Sequence, residues 1–397
     1  MKGNRKKILY IHHGTGLGGA LVSLVQLLKC LDSSRYSARV ICLQYSYAVD
    51  ALQQMSMPVQ VFDRYRKFTH TNINWIRWYQ PWRLIKTFYH LWRTSSSYAY
   101  KILSEEKPDL VHLNADALIG WAIAARRLDI PIVLHLRSPI AQGYFGLRRK
   151  WIRSVVNSCV DHVIAISEEN ANRLGLPEKT SVIFNFVDPN EFNPEIEPIR
   201  MPESAVDKKV VLYLGGALEY KGFSVLVRAL PLLNEDIVVV FAGYFSQESR
   251  KLRKLIKSIL WPGHMASIRA LKSSSNAINI GRRTDVPQCI AACDVLVFPS
   301  TLPHFARPVI EAGAMKKPVI ASAVDGMDEL VIHGETGELV PPGDHRALAD
   351  AINRLCSDDV LCENMGLNGY TRAMKLFNSF HNARATFEVY EHVLSRR

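Results

Sequence analysis

The sequence predicts an α/β protein of two domains, each built on a parallel β-sheet flanked by helices. The chain has 397 residues, more than the ~250–300 residues that one hydrophobic core usually serves. Apolar runs of strand length alternate with helical patterns throughout, which is typical of sheets wound from β-α-β units. This pattern restarts after residue 208, so we expect two such sheets.

Thirteen apolar runs are the predicted strands. They lie at residues 7–12, 38–43, 59–62, 110–113, 132–136, 162–166 and 181–183, and then at 209–214, 237–242, 277–280, 295–298, 319–321 and 337–340. Four prolines between residues 188 and 204 interrupt any regular element there. We therefore predict a domain of residues 1–187, a linker of 188–208 and a domain of 209–377.

Composition favours an ordinary folded protein of the cytoplasm. Hydrophobic residues make up 48% and charged residues 22%, as in typical globular chains. No stretch approaches the ~18 apolar residues of a membrane span, and residues 8–11 are too short an apolar run for a signal peptide. The seven cysteines are scattered without a zinc-type spacing, so we interpret them as reduced, mostly buried thiols.

The formal charge of +12 suggests an anionic partner: a nucleotide diphosphate, anionic lipid head groups or nucleic acid. Residues 64–104 contain eight Lys or Arg, eleven aromatic residues and no Asp or Glu. From Pro81 one predicted helical face carries Trp82, Ile85, Tyr89 and Trp92, whereas Arg83, Lys86, His90 and Arg93 lie largely off it. Such a helix suits an anionic membrane surface, but its aromatics could equally be core residues. Nucleic acid is the weaker alternative, because no recognition fold accompanies the segment.

Two glycine-containing turns follow predicted strands and precede predicted helices. Residues 14–20, including Gly18 and Gly19, would let the backbone approach a phosphate at a helix N-terminus, or would simply allow tight packing. No acidic residue ends the second strand, so the turn departs from the dinucleotide-binding pattern. In the second half, Lys221 follows Gly215 and Gly216, and it is either a compact positive charge for a departing diphosphate or a solvent-facing lysine.

A helix near residue 308 is predicted to carry a ligand-binding carboxylate. Pro308 suits a first helical residue, which would put Glu311 in the first turn. That position faces the carboxyl ends of the strands, where open α/β sheets bind ligands, so Glu311 is a candidate for holding ribose hydroxyls. The alternative is a glutamate that merely complements the helix dipole.

Together these features resemble the retaining glycosyltransferases of family 4, which have the GT-B fold, along nearly the whole chain. The matching segments are Gly18-Gly19-Ala20, Pro108-Asp109-Leu110-Val111-His112, Ala165-Ile166-Ser167, Asn185-Phe186-Val187-Asp188, residues 215–222, Ala292-Cys293-Asp294, Pro299-Ser300, Glu311-Ala312, Lys317-Pro318-Val319-Ile320-Ala321-Ser322, and residues 326–329 and 334–337. The resemblance implies two Rossmann-like domains facing across a cleft, acceptor domain first and donor domain second. The last helix, from about residue 378, would cross back to the first domain, and the prolines of the linker would act as a hinge.

The resemblance also implies roles for individual residues. Gly18 and Gly19 would approach the donor diphosphate, Lys221 would neutralise it, Glu311 would bind the ribose and Glu329 would lie near the nucleotide. Asn114 and Arg137 stand where many members have histidines, the first of which contacts the donor sugar. The remaining candidates are Gly215, Gly216, His304 and Phe305 for the donor, and His112 with Arg137 for the acceptor.

Two departures from the family pattern concern charge at the reacting centre. Gly216 replaces an arginine that would bind phosphate, and Pro303 replaces the first of two glutamates, which would contact the donor sugar. We hypothesise that Arg307 supplies the missing positive charge, which gives Lys221, Arg307 and Asn114 as the candidate catalytic residues. Because the chain has no Asp-x-Asp pair, we expect no metal and no cofactor besides the sugar-nucleotide substrate.

The sequence therefore predicts a retaining, metal-independent glycosyltransferase. It would move sugar from a nucleotide-diphosphate sugar to a glycan or lipid-linked acceptor in polysaccharide or glycolipid assembly. We expect it in the cytoplasm, with peripheral attachment to the inner face of the membrane if residues 64–104 bind lipid. The alternatives are a non-catalytic subunit that keeps the nucleotide site, and a related sugar-nucleotide epimerase.

Overall fold

The computed structural model describes residues 5–14, 18–62, 81–243, 262–303 and 305–396. Within them the chain divides into two compact units. The first comprises Met1–Phe186 and Ser379–Arg397, and the second comprises Val187–Asn378. Each unit has a single parallel sheet, of seven and six strands, so the predicted α/β architecture of two parallel sheets is confirmed.

The first unit is a sheet of seven parallel strands with helices on both faces. Its strands are β1 (Lys6–His12), β2 (Tyr36–Cys42), β3 (Val59–Val61), β4 (Leu110–Leu113), β5 (Ile132–Leu136), β6 (His162–Ala165) and β7 (Thr180–Val182). Its helices are α1 (Gly19–Lys29), α2 (Tyr47–Gln54), α3 (Pro81–Arg93), α4 (Ala99–Glu106), α5 (Ile119–Arg127), α6 (Leu147–Cys159) and α7 (Glu168–Leu174). The strand order is β3-β2-β1-β4-β5-β6-β7. The winding direction therefore reverses between β1 and β4, which is where sheets of this kind bind ligands.

Two apolar layers hold the first sheet. One packs α4, α5 and α6 against one face, with Trp121 fully buried at its centre. The other packs α1 against the opposite face together with the C-terminal helix Ser379–Ser395. Because both faces are covered, the strands read as continuous apolar runs, and this is why the sequence reveals them.

The second unit has the same design with six strands. They are β8 (Lys209–Tyr213), β9 (Ile237–Ala242), β10 (Ala277–Gly281), β11 (Val295–Phe298), β12 (Val319–Ser322) and β13 (Gly337–Val340), in the order β10-β9-β8-β11-β12-β13. The helices are α8 (Phe223–Ala229), α9 (Pro262–Ser273), α10 (Val286–Ala291), α11 (Arg307–Ala314), α12 (His345–Ser357) and α13 (Asp359–Leu376). The C-terminal helix of the first unit is α14. The reversal lies between β8 and β11.

All thirteen predicted strands are present, with bounds that differ by two residues at most. One helix start is different: α11 begins at Arg307, so Pro308 is its second residue and Glu311 lies just beyond the first turn. Ala306 is extended (φ −91°, ψ 98°) and ends the preceding loop one residue earlier than predicted. Among the described residues, no helix has the length and apolar character needed to cross a membrane. The seven cysteines are free thiols, four buried and three half-buried.

Candidate active site

In the first unit, three neighbouring strands bring polar side chains to the carboxyl edge of the sheet. His12 ends β1, Asn114 follows β4 and Arg137 follows β5. Because β1, β4 and β5 are adjacent, residues that lie far apart in sequence meet at the point where the winding reverses. This edge is the candidate site of the first unit.

Asn114 is the fully buried centre of this cluster. Its Nδ2 lies 2.9 Å from His12 Nδ1 and donates to the carbonyl oxygen of Ala20 at 3.0 Å. Its Oδ1 accepts from Arg137 Nε at 2.7 Å. Each of these contacts is internal to the unit, and this geometry suits a residue that positions Arg137 and the first turn of α1.

Arg137 is a positive charge held in a fixed orientation. Besides the bond to Asn114, its Nη1 donates to Asn185 Oδ1 at 2.9 Å and its Nη2 lies 3.2 Å from His135 Nδ1. Asn185 Oδ1 also accepts from Ser23 Oγ at 2.9 Å. Burial lowers the pKa of His135 well below its usual value, and the charge on Arg137 lowers it further, so His135 is neutral beside the guanidinium.

His112 lies deeper than the edge. It is fully buried on β4, with Nδ1 2.7 Å from the hydroxyl of Tyr390 on α14. Burial is the main reason that its pKa is well below the usual value, and Arg137 adds to the effect. This placement favours a neutral structural histidine; its predicted contact with an acceptor stays a prediction.

The N-terminus of α1 has no side-chain cap. Gly18 is the N-cap, with extended backbone (φ −93°, ψ 160°) and no side-chain cap. A β-carbon added at Gly18 would meet no atom of the described residues within 4 Å, so packing against these residues does not demand glycine here. Close approach of a ligand to the backbone is the other reason to have one.

In the second unit, Lys221 lies in the turn between β8 and α8. Gly216 (φ 59°) and Gly222 (φ 86°) have left-handed backbones on either side of it. A β-carbon on Gly222 would lie 1.8 Å from the carbonyl oxygen of Pro299. This close approach sets the turn directly against the carboxyl end of β11.

Ser300 joins the loop after β11 to the turn after β8. Its Oγ donates to the carbonyl oxygen of Tyr220 at 2.9 Å and lies 2.7 Å from that of Leu302. Thr301 N donates to the same Tyr220 carbonyl at 3.0 Å. The backbone of Tyr220 and Gly222, on either side of Lys221, is therefore held against the loop that follows β11.

Arg307 and Glu311 form a buried ion pair on α11. Arg307 Nε lies 3.1 Å from Glu311 Oε1, and the two side chains are 7% and 9% exposed. Burial raises the pKa of Glu311, while Arg307 and, more weakly, Lys221 oppose the increase. Burial likewise lowers the pKa of Lys221, against the attraction of Glu311. Two cations and one carboxylate thus share the carboxyl edge of this sheet.

The other donor candidates have varied surroundings. Gly215 is held by close packing, since a β-carbon there would collide with the ring of Tyr213 at 2.1 Å. Glu329 is half-buried in the turn after β12 and its carbonyl oxygen accepts from Arg372 at 2.7 Å. Phe305 is half-buried just before α11. His304 lies outside the described residues.

Four residues of these clusters were missed as individual candidates: His12, Ser23, Asn185 and Ser300. Asn185 and Ser300 lie inside segments that match the family pattern, and that was the only available signal. His12 lies 102 residues before its partner Asn114, and Tyr220 lies 80 residues before its partner Ser300. Spacing in the sequence therefore cannot reveal these clusters.

The aromatic face of α3 is exposed rather than buried. Trp82 is 61% exposed, Ile85 72%, Tyr89 50% and Trp92 64%. The helix is anchored instead through Leu91, which is 7% exposed and belongs to the core. The reading of these aromatics as core residues is therefore wrong for α3, whereas residues 63–80 lie outside the described part of the chain.

Comparison with known families covers most of the chain. The family described as Glycosyltransferase Family 4 matches residues 17–191, and the family described as Glycosyl transferases group 1 matches residues 196–372. The first match spans β2 to β7 with Asn114 and Arg137, whereas β1 and His12 precede it, and the second match spans all six strands of the second unit with Lys221, Arg307 and Glu311.

Three bacterial proteins named as glycosyltransferases are identical to this chain at about one residue in four. The capsular polysaccharide biosynthesis glycosyltransferase CapM of Staphylococcus aureus is 25% identical over 70% of this chain and 75% of its own. An Escherichia coli UDP-Gal:alpha-D-GlcNAc-diphosphoundecaprenol alpha-1,3-galactosyltransferase is 26% identical over 68% and 74%. A Campylobacter jejuni N,N'-diacetylbacillosaminyl-diphospho-undecaprenol alpha-1,3-N-acetylgalactosaminyltransferase is 24% identical over 88% and 89%.

Solved structures share the fold over the full length. Anabaena Alr3699/HepE, crystallised with UDP-glucose, superposes with a TM-score of 0.76 at 24% identity, covering 97% of this chain and 99% of that one. Sucrose-phosphate synthase from Thermosynechococcus elongatus gives 0.69 at 20% identity, covering 99% and 100%. These similarities establish the GT-B fold.

Proposed function

Because this chain belongs to the group 1 and family 4 glycosyltransferases, we propose that it transfers a sugar, with retention and without a metal ion, from a nucleotide-diphosphate sugar to a glycan or lipid-linked acceptor. The nucleotide would bind the second unit, and the first unit would hold the acceptor. Polysaccharide or glycolipid assembly is the process in which such a transfer belongs.

The observation that carries the proposal is the charge arrangement around α11. Lys221, Arg307 and Glu311 occupy the carboxyl edge of the second sheet, and the side chains of the Arg307–Glu311 pair are less than a tenth exposed. Cations held away from water stabilise charge developing on a leaving diphosphate more strongly than they would in solvent. Glu311 supplies the acceptor oxygens that ribose hydroxyls need.

The names of related proteins guide the choice of substrates. The E. coli relative is named for a UDP-Gal donor, and both it and the C. jejuni relative are named for acceptors on diphosphoundecaprenol. We take a UDP-sugar as donor and a lipid diphosphate-linked saccharide as acceptor. Arg137, a cation fixed by Asn114 and Asn185, suits an anionic group of that acceptor.

A lipid-linked acceptor would require the enzyme to work at a membrane surface. The described part of the basic aromatic segment supports this, because α3 exposes Trp82, Ile85 and Trp92 and carries Arg83, Lys86 and Arg93 with no acidic residue. Aromatic residues at head-group depth with cations on anionic lipid are the usual features of an interfacial helix. We therefore include peripheral attachment through α3 in the proposal.

The test is a thermal-shift screen with UDP-, GDP- and ADP-sugars, with and without magnesium, on the wild type and on Lys221→Ala and Glu311→Ala. We expect a UDP-sugar to raise the unfolding midpoint equally with and without magnesium, and both variants to lose the increase. A shift that requires magnesium would contradict the metal-independent reaction. No shift with any donor would contradict the nucleotide site itself.

Two alternatives predict different products. An epimerase would interconvert sugar nucleotides without an acceptor, whereas the proposed transferase releases nucleoside diphosphate only as acceptor is glycosylated. A non-catalytic subunit, which Gly216 and Pro303 would favour, would bind the donor without turnover. Chromatography of the nucleotide products, with and without a lipid diphosphate-linked saccharide, separates the three.

A further inference from the structure

The turn between β5 and α6 exposes apolar side chains to an unusual degree. Phe145 is 94% exposed and Leu147 is 63% exposed. This turn lies about fifty residues beyond the end of α3 in the sequence. Neither side chain belongs to the candidate active site described above.

The backbone of this turn is also unusual. Phe145 has φ 51°, a left-handed conformation that costs a non-glycine residue roughly tenfold or more in population. Gly143 (φ 69°) and Gly146 (φ 72°) on either side make the turn possible. A strained phenylalanine that gains no burial is unfavourable in water, and outliers of this kind point to a function.

The turn and α3 belong to one surface of the first unit. Phe88 of α3 contacts Trp151 of α6 edge to face, with ring centroids 5.4 Å apart. Leu147 is one helical turn before Trp151 and therefore lies on the same face of α6. We call the exposed side chains of Trp82, Ile85, Trp92, Phe145 and Leu147 the two-helix surface.

The charged residues in the two segments that form this surface are all basic. Residues 130–160 contain five Lys or Arg and no Asp or Glu. Among them Lys150 and Arg153 are exposed on α6, and the charged side chains of α3 are likewise all basic. Exposed apolar side chains beside cations match an anionic bilayer, in which the apolar groups enter the head-group region and the cations contact anionic lipid.

We propose that the Gly143–Leu147 turn is a second membrane anchor, which inserts Phe145 and Leu147 between anionic lipids while α3 rests beside it. Two separate anchors, one a helix and the other a turn, fix the orientation of the first unit on the bilayer, which a single helix does not. The proposal rests on the membrane-bound activity argued above but concerns a different segment. It is tested by lipid binding, which needs no turnover.

The experiment is co-sedimentation of the whole chain with vesicles of phosphatidylcholine alone or mixed with phosphatidylglycerol. We expect wild type to bind the mixed vesicles preferentially. Phe145→Ala should bind them about tenfold more weakly, because it lacks the aromatic side chain that wild type buries in the bilayer. Phe145→Trp should retain binding, because tryptophan also suits the interface. Phe380→Ala is the matched control, since Phe380 is a 59%-exposed phenylalanine of the same unit and should leave binding unchanged.

Equal vesicle binding by wild type and Phe145→Ala, or an equal loss in Phe380→Ala, would overturn the proposal. So would wild-type self-association that Phe145→Ala abolishes without any vesicle binding, because it would identify a protein interface. Turnover with a water-soluble, short-chain acceptor should be the same in wild type and Phe145→Ala. If neither protein turned over this acceptor, the proposed function would be contradicted. The vesicle binding would still decide whether the turn is a membrane anchor.

Discussion

Arg307 is expected to contribute both to the stability of the second unit, through its buried pair with Glu311, and to donor binding. Removing Arg307 alone leaves a carboxylate without its partner 3.1 Å away, and breaking such a pair costs about 3–5 kcal/mol of stability. Arg307→Ala should therefore lower the unfolding midpoint. It should also weaken donor binding about tenfold to a hundredfold, if the guanidinium contacts the diphosphate.

The double variant Arg307→Met/Glu311→Leu distinguishes the two effects. Neither member of the pair is left as a lone buried charge, while Lys221 loses the attraction of Glu311, so the double variant should recover part of the stability lost in Arg307→Ala while donor affinity stays low. Calorimetric titration with the UDP-sugar gives the affinity, and thermal unfolding gives the stability. Unchanged donor affinity in a folded Arg307→Ala protein would eliminate the hypothesis that this residue replaces the family's missing arginine.

At the scale of elements, the turn between β8 and α8 depends on Gly222. Gly222→Ala would place a β-carbon 1.8 Å from Pro299 O at φ 86°, so the turn that carries Lys221 has to move away from β11. We expect a loss of about 2–4 kcal/mol of stability, from backbone strain and from the collision together. Donor binding should fall beyond detection by thermal shift.

Gly343→Ala is the control for that variant. Gly343 has almost the same backbone (φ 82°), but in the described part of the chain no atom lies within 4 Å of the place where a β-carbon would stand. Only the conformational cost of about 1 kcal/mol then applies, and donor binding should persist. If both variants bind donor like wild type, the turn does not position a phosphate-binding lysine.

The elements that could be predicted from sequence are those whose pattern is set by burial on two faces. Strands such as β5 and β9 are wholly buried, so each reads as an unbroken apolar run. The start of α11 was predicted one residue too late, because Pro308 is its second residue rather than its first. For α3 the helical spacing predicted which aromatic residues share one face, but not that Leu91, rather than this face, meets the core.

The candidate sites were predictable only in part for a similar physical reason. Lys221 and Glu311 stand next to glycine and proline signals that locate strand ends, so their neighbourhood follows from the parallel topology. The bonds from Ser300 to Tyr220 and from Arg137 to Asn185 join segments that no local pattern connects. Only the strand order brings them together, and the strand order was not derivable from spacing.

At the scale of the whole molecule, the two units should respond differently to mild acid. The first unit buries His112 and His135, whose pKa values lie well below the usual range, mainly through desolvation. Burial also lowers the pKa of His162 to about 4, helped by the charges of His392, Arg396 and Lys179. In the second unit, burial raises the pKa of Glu311.

The sign follows from proton binding in the folded and unfolded states. Unfolded histidines take up protons near pH 6.5, whereas the folded first unit resists this, so its stability falls as the pH drops from about 6.5 towards 4. Glu311 acts in the opposite sense: the folded second unit binds a proton at a higher pH than the unfolded chain does, so acid does not weaken it through this residue. Hydrogen exchange followed by mass spectrometry between pH 7 and 4.5, corrected for intrinsic rates, should show protection decreasing in β5 and β6 before β8 and β9.

His162→Gln tests the assignment, because its amide extends about as far as the imidazole Nε2 and can keep the 2.9 Å bond that His162 makes to Ser181 without titrating. After allowance for its partial exposure, His162 should contribute about 1–2 kcal/mol to the acid-induced loss. The variant should therefore show a shallower decrease in β6 protection than wild type between pH 6.5 and 4.5. An identical decrease in the variant would shift the effect to His112 and His135, and equal weakening of both units would contradict the prediction that buried histidines make the first unit the acid-sensitive one.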